Sequence, residues 1–305
     1  MIKSFTVTNY LGESIKLVLG EPEKSGFLIK SVSGLGPAKA DINTTDISTN
    51  DGALYNSARL TKRNIVMKLL FVETNKKETI EDIRQKSYKY FPMKKNLELV
   101  VETDNRIVKT VGYVESNEPD IFSDKEGTDI SIVCPDPYFY SAGDDNVTAF
   151  YSVEPLFEFP FSNESLTDPL LIMGDIQIKT EGVVVYNGDA EIGITIRIHS
   201  LGNVSNVTLY HVDTRETMKI DTVKLEKLTG SGIIAGDDII ITTSKGEKGI
   251  HLVREGVVYN ILNCLDMNTA WFSLAKGDNI FAFDAEEGVT NLQLEIINKV
   301  IYEGV

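Results

Sequence analysis

The residues of this chain that could carry chemistry are three histidines, two cysteines, one tryptophan and a few close carboxylates. His199 ends the alternating run Ile192-Gly-Ile-Thr-Ile-Arg-Ile-His199, and His211 and His251 sit among apolar neighbours. Zinc needs histidines and cysteines at short, regular spacing, which none of these has. Cys134 and Cys264 lie 130 positions apart, a pattern of reduced thiols packed as small hydrophobes, not of a disulfide framework. Asp237-Asp238 with Glu247 offers the oxygens that calcium takes, but at no known loop spacing. Ser33-Gly-Leu-Gly-Pro37 has two glycines of a phosphate loop, yet lacks the Lys-Ser/Thr ending and a following helix N-terminus, so it reads as a turn. No Gly-x-Ser-x-Gly elbow occurs. No carboxylate pair is placed by the pattern in a cleft, as glycoside hydrolysis would require. Trp271 beside Phe272 is a weak candidate for stacking on a sugar, although Ala270-Trp-Phe-Ser-Leu274 reads as a core strand. The expectation is no catalytic residue, no metal and no cofactor.

The elements that surround these residues are mostly strands. Phe5-Thr-Val-Thr-Asn9, Ile15-Lys-Leu-Val-Leu19, Ile65–Val72, Leu97–Glu102 and Ile107–Val114 alternate or run apolar, and Thr103-Asp-Asn-Arg106 makes the last two a hairpin. One amphipathic helix is expected over 76–91. Ile80, Ile83 and Tyr90/Phe91 recur at helical spacing, Asn75 and Glu78 have the form of an N-cap with its partner, and Pro92 stops the helix. Residues 31–62 are irregular and rich in Thr, Asn and Asp, with Ile42, Ile47, Leu54, Tyr55 and Arg59 spaced along them. A segment like this inside a compact domain is uncommon unless it is functional or flexible. It reads either as a plain surface loop or as an extended arm or long hairpin that orders against a neighbouring subunit.

Cys134-Pro-Asp-Pro-Tyr-Phe-Tyr140 closes the first half. Pro135 and Pro137 remove two backbone donors and fix φ twice, which stops any central strand or helix. Tyr138, Phe139 and Tyr140 are too apolar for a free tether, so the run is expected to be a packed joint between two domains. A length of 305 residues also suggests two. Residues 1–145 carry a net charge of −3 and residues 146–305 a net of −12. An acidic second half repels phosphate backbones, which argues against nucleic acid and anionic membranes. No apolar run reaches the roughly 18–20 residues of a membrane span. The opening residues lack a secretory pattern, so synthesis in a cytoplasm is expected. The second half reads as strand throughout, with turns every eight to twelve residues and no helix, the pattern of a jelly-roll type β-sandwich.

The chain resembles the distal tail (Dit) proteins of long-tailed bacteriophages and related prophage particles. The resemblance begins at Ile2-Lys-Ser-Phe-Thr-Val-Thr-Asn-Tyr-Leu-Gly12 and continues through Ser33–Pro37, Asp51-Gly-Ala, Arg63-Asn-Ile-Val, Ile83-Arg84 and Phe91-Pro92. It passes through Cys134–Tyr140, then Phe157-Glu-Phe-Pro-Phe161, Tyr186-Asn-Gly-Asp189 and Gly277-Asp-Asn279. It implies a tail-tube-like β-barrel with one helix over 1–141 and a galectin-like sandwich over 142–305. It further implies a homo-hexameric ring at the virion tail tip, made in the host cytoplasm. Such a ring joins tail tube and tape-measure protein to the tail-associated lysin or fibre, and in some phages to receptor-binding proteins. The segment holding Ile42, Ile47, Leu54, Tyr55 and Arg59 then becomes a candidate inter-subunit belt. The rival readings are a carbohydrate-binding adhesion module acting through the second domain and a glycosidase on a sandwich scaffold.

Overall fold

The computed structural model describes residues 1–47, 51–74, 78–155 and 174–305. They are mainly β and divide into two compact units, residues 1–144 with 301–305, and residues 145–300. Phe157–Phe161, part of the resemblance, lies outside the described residues.

The first unit is built on β1 (Ile2–Asn9), β2 (Ser14–Val18), the helical turn α1 (Pro22–Ser25), β3 (Phe27–Ser33), β4 (Ala40–Asp46), β5 (Ala53–Leu60) and β6 (Arg63–Phe71). Helix α2 (Ile80–Tyr90) follows, then β7 (Asn96–Thr103), β8 (Ile107–Asp120), β9 (Gly127–Cys134) and β10 (Phe139–Ser141). The main sheet runs β2-β1-β7-β8-β9-β6-β3, and β10 is hydrogen-bonded to β8 at its side. Alternation turns Phe5, Val7, Ile65, Met67, Leu99, Val101, Ile130 and Ile132 inward to one core, each worth roughly 1.5–3 kcal/mol when fully buried. The expected barrel is not closed: among the described residues β2 and β3 remain edges. Helix α1 touches both of them, so the edges meet through a helical turn instead of a ladder.

Helix α2 starts later than its sequence pattern suggests, and its cap is not the Asn75/Glu78 pair. Thr79 accepts the Asp82 N–H through Oγ1 at 3.2 Å, and the Asp82 carboxylate accepts the Thr79 N–H at 2.9 Å. Thr79-x-x-Asp82 satisfies the same reciprocal rule one turn nearer the first apolar position, Ile80. Glu78 instead gives its backbone N–H to Thr74, and Asn75 is outside the described residues. Ile83 and Ser87 are fully buried. Gly26 leaves Ile83 room, because a Cβ there would lie 3.0 Å from the Ile83 side chain.

The second unit contains β11 (Asn146–Ala149), β12 (Tyr151–Pro155), β13 (Gly174–Ile178), β14 (Glu181–Tyr186), β15 (Ile192–Gly193), β16 (Thr195–Ser200), β17 (Ser205–His211) and β18 (Glu216–Lys219). Helix α3 (Thr222–Thr229) comes next, followed by β19 (Asp238–Thr242), β20 (Gly249–Arg254), β21 (Val257–Asn260), β22 (Ser273–Leu274), β23 (Gly277–Glu287) and β24 (Leu292–Asn298). A six-stranded sheet, β11-β24-β16-β19-β20-β21, and a four-stranded one, β14-β23-β17-β18, carry most of them. Phe150, Ile196, Leu209, Phe283 and Leu294, drawn largely from both sheets, line one small apolar void. Helix α3 corrects the expectation of an all-strand second half. Asp221 caps it by accepting the Val223 and Lys224 N–H groups, and Gly230 ends it at φ 85°. The signals were Asp221 and Gly230, but the turn buries only Thr222 and Leu225, too few for a helical stripe.

Replacing Thr79 by Ala is expected to cost about 1 kcal/mol through loss of the reciprocal cap. Urea denaturation of the full chain, compared with Asn105→Ala as an exposed control, measures it.

Candidate functional site

The segment read as irregular is a two-stranded hairpin, β4 paired with β5, joined to neither main sheet. Thr61 closes its neck by donating its N–H and its Oγ1–H to the Lys39 carbonyl, both at 2.9 Å. Cross-strand partners share a face, and the pairs Ala40/Leu60, Ile42/Ala58, Thr44/Tyr55 and Asp46/Ala53 build a largely apolar one. The opposite face carries the Asp41–Arg59 ion pair at 3.2 Å, Asn43 with Ser57, and Thr45 with Leu54. A register shift between Asn43 and Thr44 produces this sorting. Asn56 is the extra residue of a bulge, donating to Thr45 Oγ1 at 2.7 Å on the polar face. That extra position moves Tyr55 onto the face of Ile42.

Ile42 and Tyr55 are nevertheless 59% and 63% exposed. Leu54 is exposed on the polar face, and Ile47 is exposed just beyond β4. A lone hairpin of this kind is marginal in water. Among the described residues its apolar face stays exposed at Ile42 and Tyr55.

The root of the hairpin depends on Arg63, which sequence reading did not single out. Arg63 is 2% exposed, and among the described residues no carboxylate forms an ion pair with it. Its Nε and Nη2 donate to the Pro137 carbonyl at 2.9 and 2.6 Å, and its Nη2 also donates to the Glu303 carbonyl at 2.6 Å. Its Nη1 donates to the carbonyls of Gly34, at 2.7 Å, and Gly36. All five guanidinium N–H groups are thereby used. The Phe139 ring lies under the guanidinium at 4.2 Å. Burial pulls the Arg63 pKa down, but an arginine stays charged at any physiological pH. A signal was present in the sequence: alternation puts Arg63 in phase with Ile65, Met67, Leu69 and Phe71, all inward.

The Gly34 turn is shaped for this contact. Its φ is +85°, and a Cβ there would lie 2.0 Å from the Asn64 carbonyl oxygen, so only glycine fits. The proline run lies within the first unit. Pro135 is exposed, Pro137 supplies the doubly accepted carbonyl, and Phe139 is fully buried in the core. Tyr138 is half-buried, which raises its pKa, and donates its backbone N–H to Asp136 at 3.0 Å. Tyr140 donates its hydroxyl to the same carboxylate at 2.5 Å.

The other candidate groups are drawn into local structure. Asp237 is 1% exposed and holds the Arg254 guanidinium by two bonds of 2.8 and 2.6 Å. Asp238 faces His199 at 2.9 Å. His211 is buried against Phe281 and contacts the Thr214 hydroxyl, and His251 lies half-buried on β20. Trp271 is half-buried outside any strand, with the Lys248 ammonium 5.7 Å from its ring. The core-strand reading of 270–274 is thus corrected to the two residues of β22, because Phe272 alone of the aromatic pair turns inward.

Taken together these features define a two-unit, mainly β chain whose most exposed organised element is an amphipathic hairpin. The fold is that of a Dit protein, the family the sequence resembles. The chain is similar to the SPP1 Dit protein, whose crystal structure is described as a paradigm of the hub adsorption apparatus in phages infecting Gram-positive hosts. The TM-score is 0.63 at 13% identity, over 98% of this chain and 99% of that one. Two chains of the phage P2 baseplate in its activated conformation, one with calcium and one with strontium, align at 12% identity over 99–100% of both lengths, with TM-scores of 0.49 and 0.47. No protein-family model matches the chain. No curated protein matches it in sequence.

Arg63→Lys keeps the charge but not the planar fork, and its three donors cannot replace all five bonds to the three segments. The expected loss is roughly 2–3 kcal/mol, read as a lower denaturation midpoint. In the second unit, Asp237→Ala strands the Arg254 charge and is expected to cost about 3–5 kcal/mol by the same measurement.

Proposed function

We propose that this chain is a structural hub protein of a phage tail tip and performs no catalysis. In this reading six copies form a ring whose channel continues the tail tube. The first unit is the tail-tube-like part, and the two-sheet second unit is a galectin-like sandwich. The ring joins tube and tape-measure protein to a tail-associated lysin or fibre and to receptor-binding components. The similarity to the SPP1 Dit protein over nearly the whole chain supports it.

The observation that carries the reading furthest is the uncovered apolar face of the β4–β5 hairpin. Ile42, Ala53, Tyr55 and Ala58, with the half-buried Leu60, make a strip that is exposed among the described residues. Another copy of the chain is the occupant a closed ring supplies, because a heterologous contact repeated around a rotation axis uses every such arm once. The Asp41–Arg59 pair and Asn43, Thr45 and Ser57 keep the other face soluble.

Light scattering and negative-stain imaging, on the chain alone and mixed with tube and tail-lysin partners, test the proposal. A six-fold ring is expected in at least one mixture, and a strict monomer in all of them would count decisively against a hub. Ile42→Asp with Tyr55→Asp should abolish the ring. Circular dichroism and the denaturation midpoint should remain those of the parent monomer, since neither side chain belongs to a core.

A further inference from the structure

The hairpin's root is completed by residues far along the sequence. Ile301 and Tyr302 form a short strand, β25 (Ile301–Tyr302), pairing with Tyr140 and Phe139, and Ile301 is 3% exposed. Beyond it, Glu303 gives its carbonyl to Arg63, 240 positions away. Val305 gives its N–H to the Leu35 carbonyl at 3.0 Å. Gly304 lies so close to the same turn that a Cβ would sit 3.2 Å from the Leu35 oxygen. Residues 303–305 therefore hold the turn Gly34–Pro37 from one side while Arg63 holds it from the other. The hairpin leaves from that turn through Lys39 and returns through Thr61 directly to Arg63.

We propose that Arg63 is a positioning residue that makes residues 303–305 a control on the hairpin: the arm is held at its root only while this segment is seated. With the segment absent, one guanidinium N–H and the Leu35 carbonyl lose their partners together. The turn then keeps only one of its two supports. A protein that took hold of residues 303–305 would loosen the arm through the same two bonds. The consequence for assembly rests on the hub reading above. The coupling itself is a property of the monomer.

Hydrogen exchange on the monomer tests it, using a chain ending at Tyr302, which keeps β25. Amides of residues 34–46 and Thr61 are expected to exchange about tenfold faster or more. Ile65, Met67 and Ile130 in the core should keep their protection. Gly304→Val, which crowds Leu35 without shortening the chain, should give the same pattern to a smaller extent. Unchanged exchange at the neck in both variants overturns the inference. So does equal loss at neck and core, since the segment would then support the whole unit and not the arm. Imaging of the truncated chain with its partners separates the two proposals. A loosened neck with intact rings would leave the coupling standing and remove the arm from ring assembly.

Discussion

A buried guanidinium with no ion-pair partner among the described residues finds its acceptors in the backbone, and that requirement organises the first unit. Arg63 reaches carbonyls on the Gly34–Gly36 turn, the proline run and the returning segment, three stretches with no local reason to meet. A buried charge lacking any of them would carry a desolvation cost of several kcal/mol. The three segments are thus selected together. The features that read separately in the sequence, a glycine turn, a Pro-Asp-Pro run and an aromatic cluster, are the walls of one site.

Several of the groups that drew attention in the sequence are tied into local structure, Asp237 to Arg254, Asp238 to His199 and His211 against Phe281. The β4–β5 hairpin is the contrary case. Its polar face carries an ion pair and hydrogen bonds of its own, its apolar face is exposed among the described residues, and a single bulge decides which face Tyr55 joins. One residue inserted or deleted in β5 would undo that sorting without altering composition, since register and not residue type separates the faces.

Much of the strand pattern was legible because inward and outward residues alternate so regularly along β1, β6, β7 and β9. The helix over 80–90 was legible for the corresponding reason at helical spacing, although the cap that forms, Thr79 with Asp82, lies one turn beyond the pair the sequence reading chose. What could not be read was whatever depends on distant partners. The open edges at β2 and β3 are a matter of sheet closure, which no local run specifies. Helix α3 buries too little of itself to leave a periodic trace. The return of residues 301–305 to the first unit is a ladder of two residue pairs, too short to announce itself. The segment 40–60 looked irregular because its bulge breaks the alternation on which strand reading relies. Arg63 itself was visible as a charge in phase with core residues, and a buried charge in phase with a core is a question about its acceptors.

The pairing of β10 with β25 also makes the first unit discontinuous in sequence. Residues 145–300 form the other unit, so the polypeptide leaves the first unit after β10 and re-enters it at β25. The two ends of that excursion are tied by one short ladder, with β10 also bonded to β8. During synthesis the first unit therefore waits for residues 301–305, and its last strand and the final acceptor of Arg63 arrive only after the whole second unit has been made.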